Sequence, residues 1–207
     1  MAKPDKLAAV MDDYAADPLG FVLDAYPWGE GSLEKHAGPR EWQREGLAAI
    51  GEHLRNPATR CTPLRMAVAS GHGVGKSAFI SMVLNWGMST CPDTRAVVTA
   101  NTDLQLRTKT WPEVAKWARL SVTSDWWAVP ATALYEKGNE KSWRADASPW
   151  SEHNTEAFAG LHNEGKRIIL VFDEASKISD KVWEVAEGAL TDEDTEIIWL
   201  AFGNPTQ

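Results

Sequence analysis

The chain has 207 residues, 43% of them hydrophobic and 24% charged, with a formal net charge of -8. That length and apolar content suit one α/β domain with a sizeable core, and the acidic balance excludes a broadly basic nucleic-acid binder. No apolar run approaches the ~20 residues that span a membrane. The N-terminal stretch MAKPDKLAAVMDDYAAD lacks the long apolar segment of a secretory leader. The only two cysteines, Cys61 and Cys91, stand in no metal-ligand spacing and read as reduced thiols of a cytoplasmic protein.

In chain order, the pattern predicts short helices over 4–16 and 18–26, the second capped by Asp17 ahead of Pro18. A turn-rich loop covers 27–39. A helix follows within 38–54, with Trp42, Leu47, Ile50 and Leu54 on one face. Leu64–Ala69 (LRMAVA) reads as a buried strand, and a helix covers about 76–89. Arg95–Ala100 is a second buried strand. Asn101 and Thr102 can cap a helix over 102–120, in which Pro112 implies a kink or a break. Residues 132–136 and 142–146 read as a hairpin, and 156–162 as a short helix. A strand over 167–172, opened by Arg167 and otherwise apolar, a helix over 180–190 and a last strand over 196–202 complete the order. The eleven tryptophans are scattered, often at helical spacing, and read as core or interface anchors. Alternating strands and helices predict a mostly parallel sheet with helices on both faces, whose ligands bind at the C-terminal strand ends.

Two segments carry the chemistry. Ser70–Ser77 reads SGHGVGKS between a strand and a helix. Gly71, Gly73 and Gly75 allow consecutive N–H groups to turn toward an anion. The helix N-terminus faces the same place, where Lys76 reaches phosphates and Ser77 ligates Mg²⁺. Ser70 stands where the usual phosphate-loop pattern has glycine. About a hundred residues later, IILVFDE (168–174) is a strand buried on both faces that ends in two carboxylates. Asp173 at its tip suits Mg²⁺, and Glu174 suits a general base for an attacking water. Taken together the pair reads as an ATPase with ATP and Mg²⁺ as cofactors. The sequence has no Asn-Lys-x-Asp base-recognition motif of a G-protein, and a kinase would not need the adjacent glutamate.

An ordered set of segments gives a resemblance. GPREWQ (38–43), SGHGVGKS, TANTDLQLRTKTWPEVAKW (99–117), EAFAGLHNEGKRIILVFDEASKISDKVWEV (156–185) and AFGNPT (201–206) together resemble the ATPase domain of the large terminase subunit of tailed bacteriophages, over about residues 38–207. The resemblance implies a P-loop NTPase of the additional-strand, catalytic-glutamate type, with residues 1–37 as an N-terminal helical and loop segment. It implies a motor that uses ATP hydrolysis to move double-stranded DNA into a procapsid in the cytoplasm of a bacterial host. Its partners would be a homo-oligomeric ring, a portal protein and a small terminase subunit. Residue by residue, Gln43 would read the adenine edge with Trp42 packed nearby. The loop Gly71, His72, Gly73, Val74, Gly75, Lys76 and Ser77 would hold phosphates. Ser77 and Asp173 would hold Mg²⁺, Glu174 would activate water, and Asn204 would sense the γ-phosphate. The last strand would lie between the phosphate-loop strand and the carboxylate strand.

Two departures qualify the likeness. Many family members carry an arginine in the phosphate loop, where this chain has His72. A neutral imidazole does not replace a guanidinium, so the arginine would come from elsewhere, with Arg107 and Arg144 as candidates or a neighbouring subunit as source. The family also has a following nuclease domain built on clustered acidic ligands. The expectation is a truncated gene or fragment without DNA cleavage, with the phosphate-loop strand near an exposed edge. Asp192, Glu193 and Asp194 then form a solvated turn, and His153 and His162 are solvent-facing rather than metal ligands. Two other readings remain open. One is a helicase-like or DNA-repair translocase, and the other is a nucleotide-binding module with little turnover.

Overall fold

A computed structural model of the chain describes residues 5–71, 73–100, 102–150, 161–175, 178–188 and 192–204. Its strands are β1 (Leu64–Ala69), β2 (Arg95–Thr99), β3 (Trp127–Ala128), β4 (Ala133–Glu136), β5 (Arg144–Ala147), β6 (Arg167–Asp173) and β7 (Glu196–Gly203). They form one sheet in the order β1-β7-β6-β2-β5-β4-β3. The pairs from β1 through β5 are parallel, and β4 and β3 are added antiparallel. The expected hairpin is β4 with β5, in the register Leu134 opposite Ala145.

The helices are α1 (Asp5–Asp13), α2 (Pro18–Ala25), α3 (Glu41–Arg55), α4 (Lys76–Thr90), α5 (Asp103–Gln105), α6 (Trp111–Leu120) and α7 (Asp180–Gly188). Asp17 caps α2 as read, its carboxylate accepting from the Gly20 N–H at 3.0 Å. On α3, Leu47, Ile50 and Leu54 are buried. α4 is buried around most of its circumference, which explains its apolar composition.

Residues of β6 alternate between two cores. Ile169 and Val171 face the core shared with α1 to α4 and α6, with Met11, Phe21, Val22, Leu47, Ile80 and Trp86 among its members. Ile168, Leu170 and Phe172 face the other, with Trp199, Ile178 and Ala186. Every residue of β6 is buried, as a central parallel strand requires. α1 and α2 thus belong to the same core as the helices that follow.

Two expectations change. β1 is not buried on both faces; its residues alternate between half-buried and exposed. Its one partner among the described residues is β7, so it lies at the edge of the described sheet. The helix over 102–120 is not broken at Pro112. Instead Leu106–Thr110 is one π-helical turn, and the Trp111 N–H donates to the Leu106 carbonyl, five residues back. Proline lacks an N–H and crowds the carbonyl four residues earlier, and the wider turn accommodates both defects. Of the expected caps, Thr102 accepts from the Gln105 N–H at 3.2 Å, while Asn101 lies outside the described residues. So do most of the expected helix over 156–162, and His153.

At the N-terminal ends of the strands, Arg167 is buried at 1% exposure. Its guanidinium donates to Glu196 (2.8 Å from Nε), the Thr90 hydroxyl (2.9 Å) and the Ala15 carbonyl (2.7 Å). It also stacks 4.2 Å above the Trp86 ring. One side chain thereby joins the end of α1, the end of α4, β6 and β7.

Candidate active site

The site lies at the opposite, C-terminal end of the parallel strands. β1 runs into residues 70–75, which lead into α4. The Ser70 N–H donates to the Gly203 carbonyl at 3.0 Å, fastening the loop to the end of β7. Gly73 and Gly75 have φ of 75° and 92°, a region that side-chain-bearing residues resist. At Gly75 a Cβ would also sit 2.9 Å from Nε2 of Gln43. His72 lies outside the described residues.

The loop is braced from behind by the start of α3. Nη1 of Arg40 donates to the Gly73 carbonyl (3.1 Å), Nε1 of Trp42 to Val74 (3.1 Å) and Nε2 of Gln43 to Gly75 (2.9 Å). Three consecutive carbonyls are thus drawn toward GPREWQ. Gln43 is buried, and its Oε1 also accepts from the Arg40 N–H at 2.8 Å. One amide hydrogen and one carbonyl lone pair remain to it. The resemblance implies Gln43 at the adenine edge with Trp42 packed nearby; in the structure both, with Arg40, hold the phosphate loop.

The residues present fit a bound phosphate. α4 starts at Gly75 and Lys76 with no side-chain cap and no acidic residue in its first turn, so neither a cap nor a first-turn carboxylate neutralises its positive end. Among the described residues Ser70 Oγ is buried without a hydrogen-bond partner. Nζ of Lys76 lies across the loop, donating to the carbonyls of Ser70 (3.0 Å) and Gly71 (3.3 Å). Ser77 follows on the first turn of α4.

β6 delivers Asp173, 6% exposed, whose Oδ2 accepts from the Thr110 hydroxyl at 2.7 Å. Burial pushes its carboxyl above the usual range. The Thr110 bond opposes that rise, the neighbouring Glu174 charge adds to it, and the Lys76 charge opposes it. Lys76 and Asp173 therefore feel each other's charge. Glu174 leaves the strand with φ of 58°, a strained conformation for a residue of its kind. β7, between β1 and β6, ends at Gly203, so Asn204 emerges between the phosphate loop and the Asp173–Glu174 pair. The structure thus brings Lys76, Ser77, Asp173, Glu174 and Asn204 to one end of the sheet.

A cavity of about 200 Å³ opens beside the loop, lined by Arg40, Gln43, Gly75, Ala78 and, across from them, His36, Glu113, Lys116, Trp117 and Trp28. The far wall was not legible in the sequence, because it joins the 27–39 loop to α6. Of the arginine candidates, Arg107 sits on the π turn and pairs with Asp103 at 2.6 Å. Arg144 lies at the other end of the sheet, opposite Arg95 in register, and is paired with Asp146. His162 pairs with Asp192 at 2.8 Å, so the expected solvated turn is anchored at its first residue.

The strand order, with β7 inserted between the loop-bearing and carboxylate-bearing strands, is that of a P-loop NTPase with helices on both faces of a mostly parallel sheet. Within that class the chain resembles phage large terminases. Over 140 residues it is 30% identical to a probable terminase large subunit of Enterobacteria phage P7, a match covering 65% of this chain and 28% of that protein. The chain therefore spans well under half the length of that relative. The large terminase of bacteriophage HK97 has the same fold, with a TM-score of 0.59 over 91% of this chain and 37% of that one, at 14% identity. The large terminase of a thermophilic bacteriophage, solved in complex with ADP, gives 0.50 over 72% of this chain and 35% of that one, also at 14% identity. No family model matches the chain. Among the described residues no helix is long and apolar enough to cross a membrane.

Proposed function

We propose that this chain is the ATP-hydrolysing domain of a phage DNA-packaging motor, with residues 38–207 as the ATPase domain and 1–37 as its helical lead-in. The observation that carries the reading is the convergence of Lys76, Ser77, Asp173, Glu174 and Asn204 at one end of the sheet, at or just past the ends of three strands adjacent in space. The similarity to large terminases supports the choice of motor over other ATPases.

In this reading the nucleotide's phosphates lie in the loop, against the uncapped N-terminus of α4. Lys76 leaves its carbonyl contacts to meet the β- and γ-phosphates. Ser77 and Asp173 hold Mg²⁺, which when bound neutralises phosphate charge. Glu174 accepts a proton from the attacking water. Asn204 senses the γ-phosphate from the end of β7. The base enters the cavity beside Gln43, whose remaining amide capacity reads the adenine edge. The arginine that completes the charge balance comes from a neighbouring subunit of a ring. Double-stranded DNA, a portal protein and a small terminase subunit are the motor's partners, and the bacterial cytoplasm is its place.

Steady-state hydrolysis with Mg²⁺ at rising protein concentration tests this, beside Glu174→Gln and Lys76→Ala. Glu174→Gln should bind ATP but turn over roughly 10²–10⁴-fold more slowly, and Lys76→Ala should lose binding. A rate per subunit that climbs with concentration supports an arginine given in trans. Wild type matching Glu174→Gln at every concentration would overturn the assignment in favour of a binding module.

A further inference from the structure

We infer that Thr110 is a positioning residue for the metal-holding carboxylate, and that the π turn exists to place it there. The inference rests on the reading of Asp173 as the Mg²⁺ carboxylate. Thr110 is fully buried, and its hydroxyl is 2.7 Å from Oδ2 of Asp173, on a strand 63 residues further along the chain. Oδ2 is thereby held by a buried donor, and with the Glu174 backbone bond to the same carboxylate this fixes the orientation in which Asp173 meets a cation.

The π turn ends at this contact. Leu106, Thr110, Trp111, Val114 and Trp117 are all buried along the same helical path. At the end of the π turn Thr110 meets Asp173 of β6, while the next residue, Trp111, is buried against the segment that leads into β4. Trp111 then anchors the path, its indole N–H donating to the Pro130 carbonyl at 3.0 Å. One turn further, Glu113, Lys116 and Trp117 line the cavity beside the phosphate loop. A single helical path therefore touches the metal carboxylate at one end and the base cavity at the other.

The test is Mn²⁺ binding to the 207-residue chain in the presence of ADP, read by the Mn²⁺ paramagnetic signal, with Thr110→Val, Thr110→Ser and Asp173→Asn. Valine keeps the shape and removes the hydroxyl; serine restores it. Thr110→Val should weaken Mn²⁺ about tenfold, the usual cost of losing a partner that orients a metal ligand. Thr110→Ser should return it to within about threefold, and ADP binding in EDTA should be the same in all three. Thr110→Val binding Mn²⁺ like wild type, while Asp173→Asn does not, overturns the role of Thr110 and leaves the site reading intact. Serine as weak as valine, or valine losing ADP binding in EDTA, overturns it as well, since packing rather than the hydroxyl would then be at work. Asp173→Asn binding Mn²⁺ like wild type removes the carboxylate from the metal site, and the inference falls with that reading.

Discussion

β6 begins with a buried cation and ends with a buried anion, and the two are treated in opposite ways. Both Arg167 and Asp173 lie on the α4 side of the strand, six residues apart, hence roughly 20 Å. Arg167 is saturated: a carboxylate, a hydroxyl, a backbone carbonyl and a tryptophan face surround it, and Arg60 approaches the same Glu196 at 2.8 Å. Asp173 receives the Thr110 hydroxyl and the Glu174 backbone but forms no ion pair among the described residues, and burial holds its carboxyl above the usual range. A buried charge met by a carboxylate, a hydroxyl and a carbonyl fixes structure. A buried charge left short of its complement is poised for a ligand that supplies the rest.

Removing the saturated charge should have the larger effect. Arg167→Met takes this donor from the Ala15 carbonyl, leaves the Thr90 hydroxyl with the Trp86 carbonyl, and leaves Glu196 with Arg60 as its ion-pair partner. The expected loss is about 3 kcal/mol, the low end for breaking a buried pair because Arg60 remains. Thermal unfolding should shift down by roughly 6–12 °C for a chain of this size. Hydrolysis per folded molecule should stay as it was. A loss of turnover at temperatures where the variant is fully folded would show that the two ends of β6 are coupled.

Asp173→Asn should move stability the other way while abolishing Mg²⁺-dependent hydrolysis. A carboxyl whose folded value is raised favours the native state fully below its unfolded value, and that benefit is lost as pH rises through the folded one. Near neutral pH the metal-free wild type therefore carries a penalty that asparagine does not. The variant should melt roughly 2–4 °C higher at pH 7, an effect on the order of 1 kcal/mol. The gap should close as pH falls toward 4. A variant that melts lower at pH 7 would show that Asp173 is already compensated and not poised for a cation.

The contrast between these two residues was half visible in the sequence. Asp173 could be placed because an apolar run ending in Asp-Glu, a hundred residues after Gly-Lys-Ser, has few other uses, and the place of β7 between β1 and β6 was what the terminase resemblance implied. Arg167 could only be read as the residue that opens the strand. Its burial depends on Trp86, Thr90 and Ala15, which come from two other elements, and charge alone argues for exposure. Thr110 was hidden for a related reason. Pro112 announced a disturbance in the helix, but whether it resolves as a break or as a π turn is decided by packing against the sheet. The base cavity was hidden in its far wall, since Glu113, Lys116 and His36 meet only after α6 and the 27–39 loop have folded together.

A second aspartate sharpens the comparison with the smallest effect. Asp192 stands just before β7 and accepts from His162 and from the Asn163 N–H, at 2.8 and 2.5 Å. Partial burial pushes its carboxyl up, but these two bonds and the charge of His162 outweigh it, so the group sits below the ordinary range. The sign is opposite to that of Asp173: its stabilisation is present above the unfolded value and is lost as pH falls through the folded one. Asp192→Asn should therefore lower the melting temperature slightly at pH 6, by less than about 1 kcal/mol because the His162 side chain is 66% exposed. The deficit should shrink as pH falls below 4. Melting curves of the two asparagine variants against pH should then bend in opposite directions. The same residue type at two strand ends would be read as anchor or as ligand site by the slope alone. Parallel curves would mean that burial, and not the supply of donors, governs both carboxylates.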